Sequence, residues 1–274
     1  MCDLDGCGTH ADLPPIIVAP AKRRDFLKGL IALPLAAVLA DPVLAQSAAA
    51  RLQPITHRTP SGRAIEGVIA VPAKTPAPAV ILIHEWWGLN DQIKAVANEF
   101  AEQGYVAIAV DLHTGKVAKT PDEAKALTGA LDPAEARETL VAWIDLLKQD
   151  ARTNGKVATV GWCFGGGWSL NASLAAPVDA TVVYYGNVAK SADELKSLKG
   201  PLLGHFGTLD KNINEEMVEG FQKAAAEAGK QDQITVHWYD ADHAFANSSG
   251  ARYDAEDAKL AWERTMAFLR QNLG

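Results

Sequence analysis

The sequence predicts an α/β architecture, a mostly parallel central sheet with helices on both faces. Two observations carry that expectation. Short continuous apolar runs, such as residues 79–84, 105–110 and 180–185, suit strands buried on both faces. Amphipathic helical stretches alternate with them, the signature of parallel strands joined by helical crossovers. The 274 residues are 48% hydrophobic, enough for one substantial core, and neither an internal repeat nor a second domain is visible. Residues 1–45 read as an N-terminal export region, 46–54 as a linker and 55–274 as the single domain.

Each element has a local reason. Residues 64–71 form the first strand candidate, ended by Pro72, and a Pro-rich turn leads to the buried strand 79–84. Asp91 can cap a helix that runs through Gln103 and stops at Gly104. Strand 105–110 follows. Pro121 opens one helical stretch and Pro133 a longer one, to about Gln149, with Leu140, Val141, Ile144 and Leu147 on its apolar face. Beyond residue 180, strands 180–185 and 201–206 precede a helix over 214–228 closed by Gly229. Residues 233–239 alternate, as expected nearer a sheet edge, and 254–273 form a terminal amphipathic helix.

The most informative segment lies between these halves. Residues 157–161 are mostly β-branched and apolar and run into Gly161-Trp162-Cys163-Phe164-Gly165, ahead of a helical stretch, 168–176, that Pro177 closes. Gly-x-Cys-x-Gly between strand and helix is the nucleophile-elbow pattern with cysteine in place of serine. A sharp turn holds the central residue at strained φ and ψ, so the flanking positions must lack a Cβ. The thiol then stands at a helix N-terminus, where free amides and the dipole favour a thiolate and later an oxyanion. A buried core cysteine is the alternative reading.

Lys and Arg number 26 against 33 Asp and Glu, a formal net charge of −7, which gives no general attraction to nucleic acid or anionic membrane. From Leu52 onward no run is long and apolar enough to span a bilayer. The first residues differ. Lys22-Arg23-Arg24-Asp25-Phe26-Leu27-Lys28 has the essentials of a twin-arginine signal, and Val43-Leu44-Ala45 offers a cleavage site before Gln46. Pro34 and Pro42 argue against an amphipathic helix packed on the domain. A precursor handled by the twin-arginine export machinery, and a periplasmic, monomeric mature protein, are therefore expected. Cys2 and Cys7 supply only two metal ligands and leave with the signal, so the mature chain keeps one thiol and no disulfide framework.

In open parallel sheets functional residues gather at the carboxyl ends of strands. Cys163, Asp210, His243 and Glu85 all follow strand candidates. The order nucleophile, acid, histidine is that of the α/β-hydrolase fold. It makes Cys163 the nucleophile, His243 the base and Asp210 the group that orients the imidazole. Asp240 and Asp242 compete for the acid role but flank the histidine too closely to reach its ring easily. His84 and Glu85 are adjacent on an extended chain and point to opposite sides, so they cannot readily chelate one ion. The amides of Trp86 and Phe164 are the natural pair of oxyanion donors. No metal or cofactor is required.

With these residues in hand, the chain from about Ile65 to Leu273 resembles the dienelactone hydrolase (carboxymethylenebutenolidase) family. The matching pieces are His84-Glu85-Trp86-Trp87-Gly88, Asp111-Leu112, Gly161-Trp162-Cys163-Phe164-Gly165-Gly166, Tyr185-Gly186, Gly207-Thr208-Leu209-Asp210 and His243-Ala244-Phe245. The resemblance implies a cysteine hydrolase that opens lactones through a Cys–His–Asp triad, with the glutamate at Glu85 touching the thiol and controlling its ionisation. It also implies arginines that grip a substrate carboxylate. One such position holds Asn247 here and the other reads His113-Thr114-Gly115-Lys116, which leaves Lys116 and Arg252 as replacement cations. Trp87, Tyr185, Lys116, Asn247 and Arg252 are thus the candidate substrate contacts. An uncharged Asn247 predicts weak discrimination between an anionic lactone and a neutral ester. A broad-specificity esterase or thioesterase with the same residues, or a non-catalytic binding or thiol redox protein on this scaffold, are the alternatives.

Overall fold

A computed structural model describes residues 52–274 together with Ala45, Gln46 and Ala49. The twin-arginine segment, Cys2 and Cys7 lie outside the described residues. Eight strands form one sheet in the order β1-β2-β4-β3-β5-β6-β7-β8. They are β1 (Gln53–Arg58), β2 (Ala64–Ala70), β3 (Ala77–Ile83), β4 (Val106–Val110), β5 (Thr153–Trp162), β6 (Ala180–Tyr184), β7 (Leu202–Gly207) and β8 (Ile234–Tyr239). β2 runs antiparallel to β1 and β4, and every other pairing is parallel. The helices are α1 (Asp91–Glu102), α2 (Pro121–Gly129), α3 (Pro133–Gln149), α4 (Phe164–Ala175), the single turn α5 (Ala192–Leu195), α6 (Glu215–Glu227) and α7 (Ala255–Leu273).

The apolar runs behave as strands buried on both faces. On β3, Val80 and Leu82 join the core beneath α1 and α7, while Ala79, Ile81 and Ile83 join the core beneath α3 and α4. Leu140, Trp143, Ile144 and Leu147 of α3 are fully buried, each worth about 1.5–3 kcal/mol relative to exposure. Capping follows the expected chemistry. Thr120, Asp132, Asn214 and Asp254 each accept an amide of the following first turn.

Four features depart from the sequence expectation. Asn90, not Asp91, caps α1, through an Ile93 amide bond of 3.1 Å, and Asp91 falls in the first turn. β1 begins at Gln53, inside the segment read as linker, because its polar, half-exposed residues gain order only by pairing with β2. α5 has no counterpart in the pattern of apolar residues; a Ser191–Glu194 capping box stabilises its one turn. The largest difference is α4, which starts at Phe164 rather than residue 168. Three consecutive glycines weaken a helix locally. Here the packing demands them, since a Cβ on Gly165 would overlap the Ile83 carbonyl, and one on Gly166 would come within 2.7 Å of the Tyr184 carbonyl.

Candidate active site

The parallel pairings bring the carboxyl ends of β3, β5, β7 and β8 to one edge of the sheet. Glu85, Cys163, Asp210 and His243 follow those ends. Cys163 sits at φ 54°, ψ −117°, a left-handed conformation that strains a residue with a side chain. The turn is over-determined. The Cys163 amide donates to the Tyr184 carbonyl at 3.0 Å, its carbonyl accepts from Gly166 at 3.0 Å, and a Cβ on Gly161 would overlap Gly165.

Asp210 and His243 are aligned by a second close approach. Gly207 lies so near the Ala241 carbonyl that a Cβ would overlap it, and the Leu209 amide donates to that carbonyl at 3.1 Å. His243 Nδ1 then lies 2.6 Å from Asp210 Oδ2, and Nε2 lies 3.1 Å from Cys163 Sγ. Asp210 Oδ1 accepts from the Asn212 and Ile213 amides at 2.8 and 3.0 Å. Burial pushes the Asp210 carboxyl up. The His243 bond and charge, with the two amides, bring it net below the ordinary carboxylate value. A carboxylate that stays ionised and bonded to Nδ1 presents Nε2 to the thiol as an acceptor, so the chain Asp210–His243–Cys163 can remove a proton from sulfur. Asp242 instead accepts the His243 backbone amide at 2.6 Å, and Asp240 lies 3.4 Å from the Thr208 hydroxyl, so neither serves the ring as acceptor.

Glu85 differs from the expectation that it touches the thiol. Its Oε2 accepts from Asn247 Nδ2 at 2.6 Å, and Oε1 receives a long 3.5 Å contact from the Tyr185 hydroxyl. Buried to 4% exposure, the carboxyl takes the donors within reach. Burial raises its pKa, and the His243 charge, the Asn247 amide, the Tyr185 hydroxyl and the Arg252 charge only partly oppose that. Protonation of Glu85 therefore stabilises the fold fully below its unfolded value, and that contribution is lost as pH rises towards the folded one. Glu85→Gln, which never ionises, should gain stability relative to wild type as pH rises from about 4 to 8. Denaturant midpoints of the two proteins across that range would show it, and a constant difference would rule it out.

His84 is no metal ligand. Its Nε2 accepts the Leu112 amide at 3.1 Å, so Nδ1 carries the proton and donates to the Glu85 carbonyl at 2.6 Å. Burial lowers its pKa to about 4, which keeps it neutral as a brace between the β3 and β4 ends. Among the described residues no group of three or more His, Cys, Asp or Glu could hold a metal ion.

A cavity of about 870 Å³ opens over Cys163 and His243. Trp86, Phe164 and Tyr185 line it. The other candidate contacts fall elsewhere. Lys116 borders a neighbouring hollow beside Arg63 and Asp111. Trp87 packs against Trp86, ring centroids 5.1 Å apart. Asn247 is committed to Glu85, and Arg252 lies 3.9 Å from Asp242. The cations that do line the cavity are Lys125 on α2, Arg137 on α3 and Lys190 after β6. Sequence reasoning missed them because they sit on helices and loops with no motif. Only the packing of α2 and α3 over the elbow turns Lys125 and Arg137 towards it, and Lys190 reaches it from the loop after β6.

A mostly parallel sheet with a strained cysteine after its central strand, and an acid and a histidine after later strands, is the arrangement of an α/β-hydrolase fold. The dienelactone hydrolase family profile matches residues 65–273, and the chain belongs to that family. It is 30% identical to a carboxymethylenebutenolidase of Pseudomonas putida over 230 residues, covering 78% of this chain and 94% of the relative. Protein usf of Aquifex pyrophilus is 32% identical over 223 residues, covering 78% and 96%. A solved dienelactone hydrolase-like promiscuous phosphotriesterase from metagenomic libraries has the same fold, with TM-score 0.70, 24% identity, and 81% and 99% coverage.

Proposed function

We propose that the chain is a cysteine hydrolase that opens a lactone or ester through a thioester on Cys163. The observation that carries this reading is the unbroken hydrogen-bond chain from Asp210 through His243 to a thiol at a strained elbow. His243 Nε2 takes the thiol proton, and sulfur attacks the carbonyl carbon. The oxyanion is held by the Trp86 and Phe164 amides; Phe164 opens α4, where an amide has no acceptor one turn earlier. The carbonyl re-forms, the C–O bond to the leaving group breaks, and His243 gives its proton to the departing oxygen. Water, deprotonated by His243, then attacks the thioester, and the carboxylic acid leaves as Cys163 recovers its proton. Glu85, held by Asn247 within electrostatic reach of His243, acts on the relay through the imidazole and not by touching the thiol. Rapid quenching with a slow ester should trap an acyl adduct on the tryptic peptide that holds Cys163. Turnover with no such adduct, and with full activity after thiol alkylation, would exclude the thioester route.

The cavity favours an anionic substrate. Lys125 and Arg137 form no ion pair among the described residues, and Lys190 stands 3.2 Å from Glu194. Weak discrimination follows only if Asn247 faces the substrate, and its amide is spent on Glu85. A preference for anions is therefore expected. Arg137→Ala should lower kcat/KM for a carboxylate-bearing lactone about fivefold, the effect of roughly 1 kcal/mol at a solvent-screened site, and leave a neutral ester unchanged. Equal losses on both substrates would remove Arg137 from recognition. The cavity volume also favours the second reading, an esterase of broad range using the same residues.

Export through the twin-arginine pathway to the periplasm is proposed from Arg23 and Arg24. Changing both to Lys should leave precursor in the cytoplasm; normal export of that variant would refute it.

A further inference from the structure

The shape of the cavity over Cys163 follows from how α4 is packed. Ala172 joins the core shared with α3, and Leu170 joins the core shared with α6. Ser169 and Ser173 bond to Val182 and Thr181 of β6. What stays open is the stripe Phe164, Gly167, Trp168 and Asn171, at the i, i+3, i+4 and i+7 spacing of one helix face. All four line the cavity. At a rise of 1.5 Å per residue they make a floor about 10 Å long that leads away from the thiol. Phe164 and Trp168 give this floor an aromatic surface, with ring centroids 6.2 Å apart.

The two sides of this floor differ. α3 shares its core with β3 and β4, and Arg137 on α3 and Lys125 on α2 line the cavity from that side. His243 comes from the other side, after β8, at the far end of the sheet from β3. A leaving oxygen must face the imidazole that protonates it. The leaving group therefore lies on the His243 side, and the acyl group extends over α4 towards Lys125 and Arg137. No Asp or Glu stands among the described residues that line the cavity, so its potential is positive throughout.

We propose that the substrates are monoesters of a long dicarboxylic acid. The hydrocarbon part of the acyl group lies along Phe164 and Trp168, and its free carboxylate meets Lys125 and Arg137. This names the acyl half of the substrate for the reaction proposed above and rests on that reading. Sulfur bonds to the acyl carbon, the C–O bond breaks, and the alcohol leaves with the proton from His243. Water then cleaves the thioester and releases the dicarboxylate. A short acyl group leaves the floor uncovered and its carboxylate away from both cations.

Phenol release from monophenyl suberate, monophenyl succinate and the neutral methyl ester of each tests it, with the reaction without enzyme subtracted. kcat/KM should favour the suberate anion over its methyl ester by about tenfold, and the succinate anion over its methyl ester by about twofold or less. The gain should lie in KM, because the carboxylate is remote from the reacting carbon, and should shrink as salt is added. Replacing Lys125 and Arg137 together by Ala should reduce the suberate preference to about twofold or less. The proposal is overturned if suberate and its methyl ester react alike, if succinate gains as much from its charge as suberate does, or if the double variant keeps the preference. In each of those cases an acyl adduct on Cys163 leaves the thioester reading standing. Hydrolysis of none of the four esters would overturn both.

Discussion

Cys163→Ala is expected to lower kcat by on the order of 10⁴-fold while leaving the fold intact. The side chain is half-buried at the cavity floor and its hydrogen-bond partner is His243 Nε2, so removing sulfur opens no core void. What is lost is the atom proposed to form the new bond. Cys163→Ser should recover little, because a hydroxyl is far less acidic than a thiol and the one imidazole must then do more work. Initial rates on an activated ester, with circular dichroism as the folding control, decide it. A folded alanine variant within tenfold of wild type would end the cysteine mechanism.

Gly165→Ala is expected to damage both stability and activity, although it adds one methyl group outside the hydrogen-bond relay. The new Cβ would overlap the Ile83 and His84 carbonyls at the end of β3. Backbone cannot swing aside as a flexible side chain can, so α4 must move off the sheet. Overpacking of this kind costs about 1–3 kcal/mol, or roughly 2–12 °C in Tm for a domain of this size. The Phe164 amide and the Cys163 turn move with α4, so the rate should fall by about 10²-fold as well. A thermal melt and a rate measurement on the same sample check both halves. A variant that melts and turns over like wild type would show that the close approach is not needed. Gly220, where an added methyl would meet nothing within 4 Å and φ is not positive, is the matched control, and Gly220→Ala should be harmless or slightly stabilising.

The two variants separate what could be read in the chain from what could not. Gly161-x-Cys163-x-Gly165 was legible because a strained turn at a sheet edge restricts its neighbours to residues without a Cβ, and that restriction is written into consecutive positions. The relay was legible for a related reason. In a parallel sheet the loops after strands meet at one edge, so the order Cys163, Asp210, His243 needed only the strands to be placed. By contrast, the glycines after Cys163 looked like a delayed helix start, because local propensity counts their flexibility and not the carbonyls of β3 and β6 lying against them.

The chain by itself determined the strand–helix order, the buried faces, the elbow and the choice of Cys163, Asp210, His243 and Glu85 as the residues at the carboxyl edge. These follow from interactions among neighbours a few positions apart, or from the rule that parallel strands align their ends. Only the tertiary structure decided the partners of those residues. Asn247 lies 162 positions from Glu85, yet it supplies the buried carboxyl with its shortest hydrogen bond. Arg137 and Lys125 face the cavity, while Lys116 borders another hollow. Such assignments depend on how helices pack across the sheet. Packing is set by the summed shape of many side chains, which no short stretch of sequence contains.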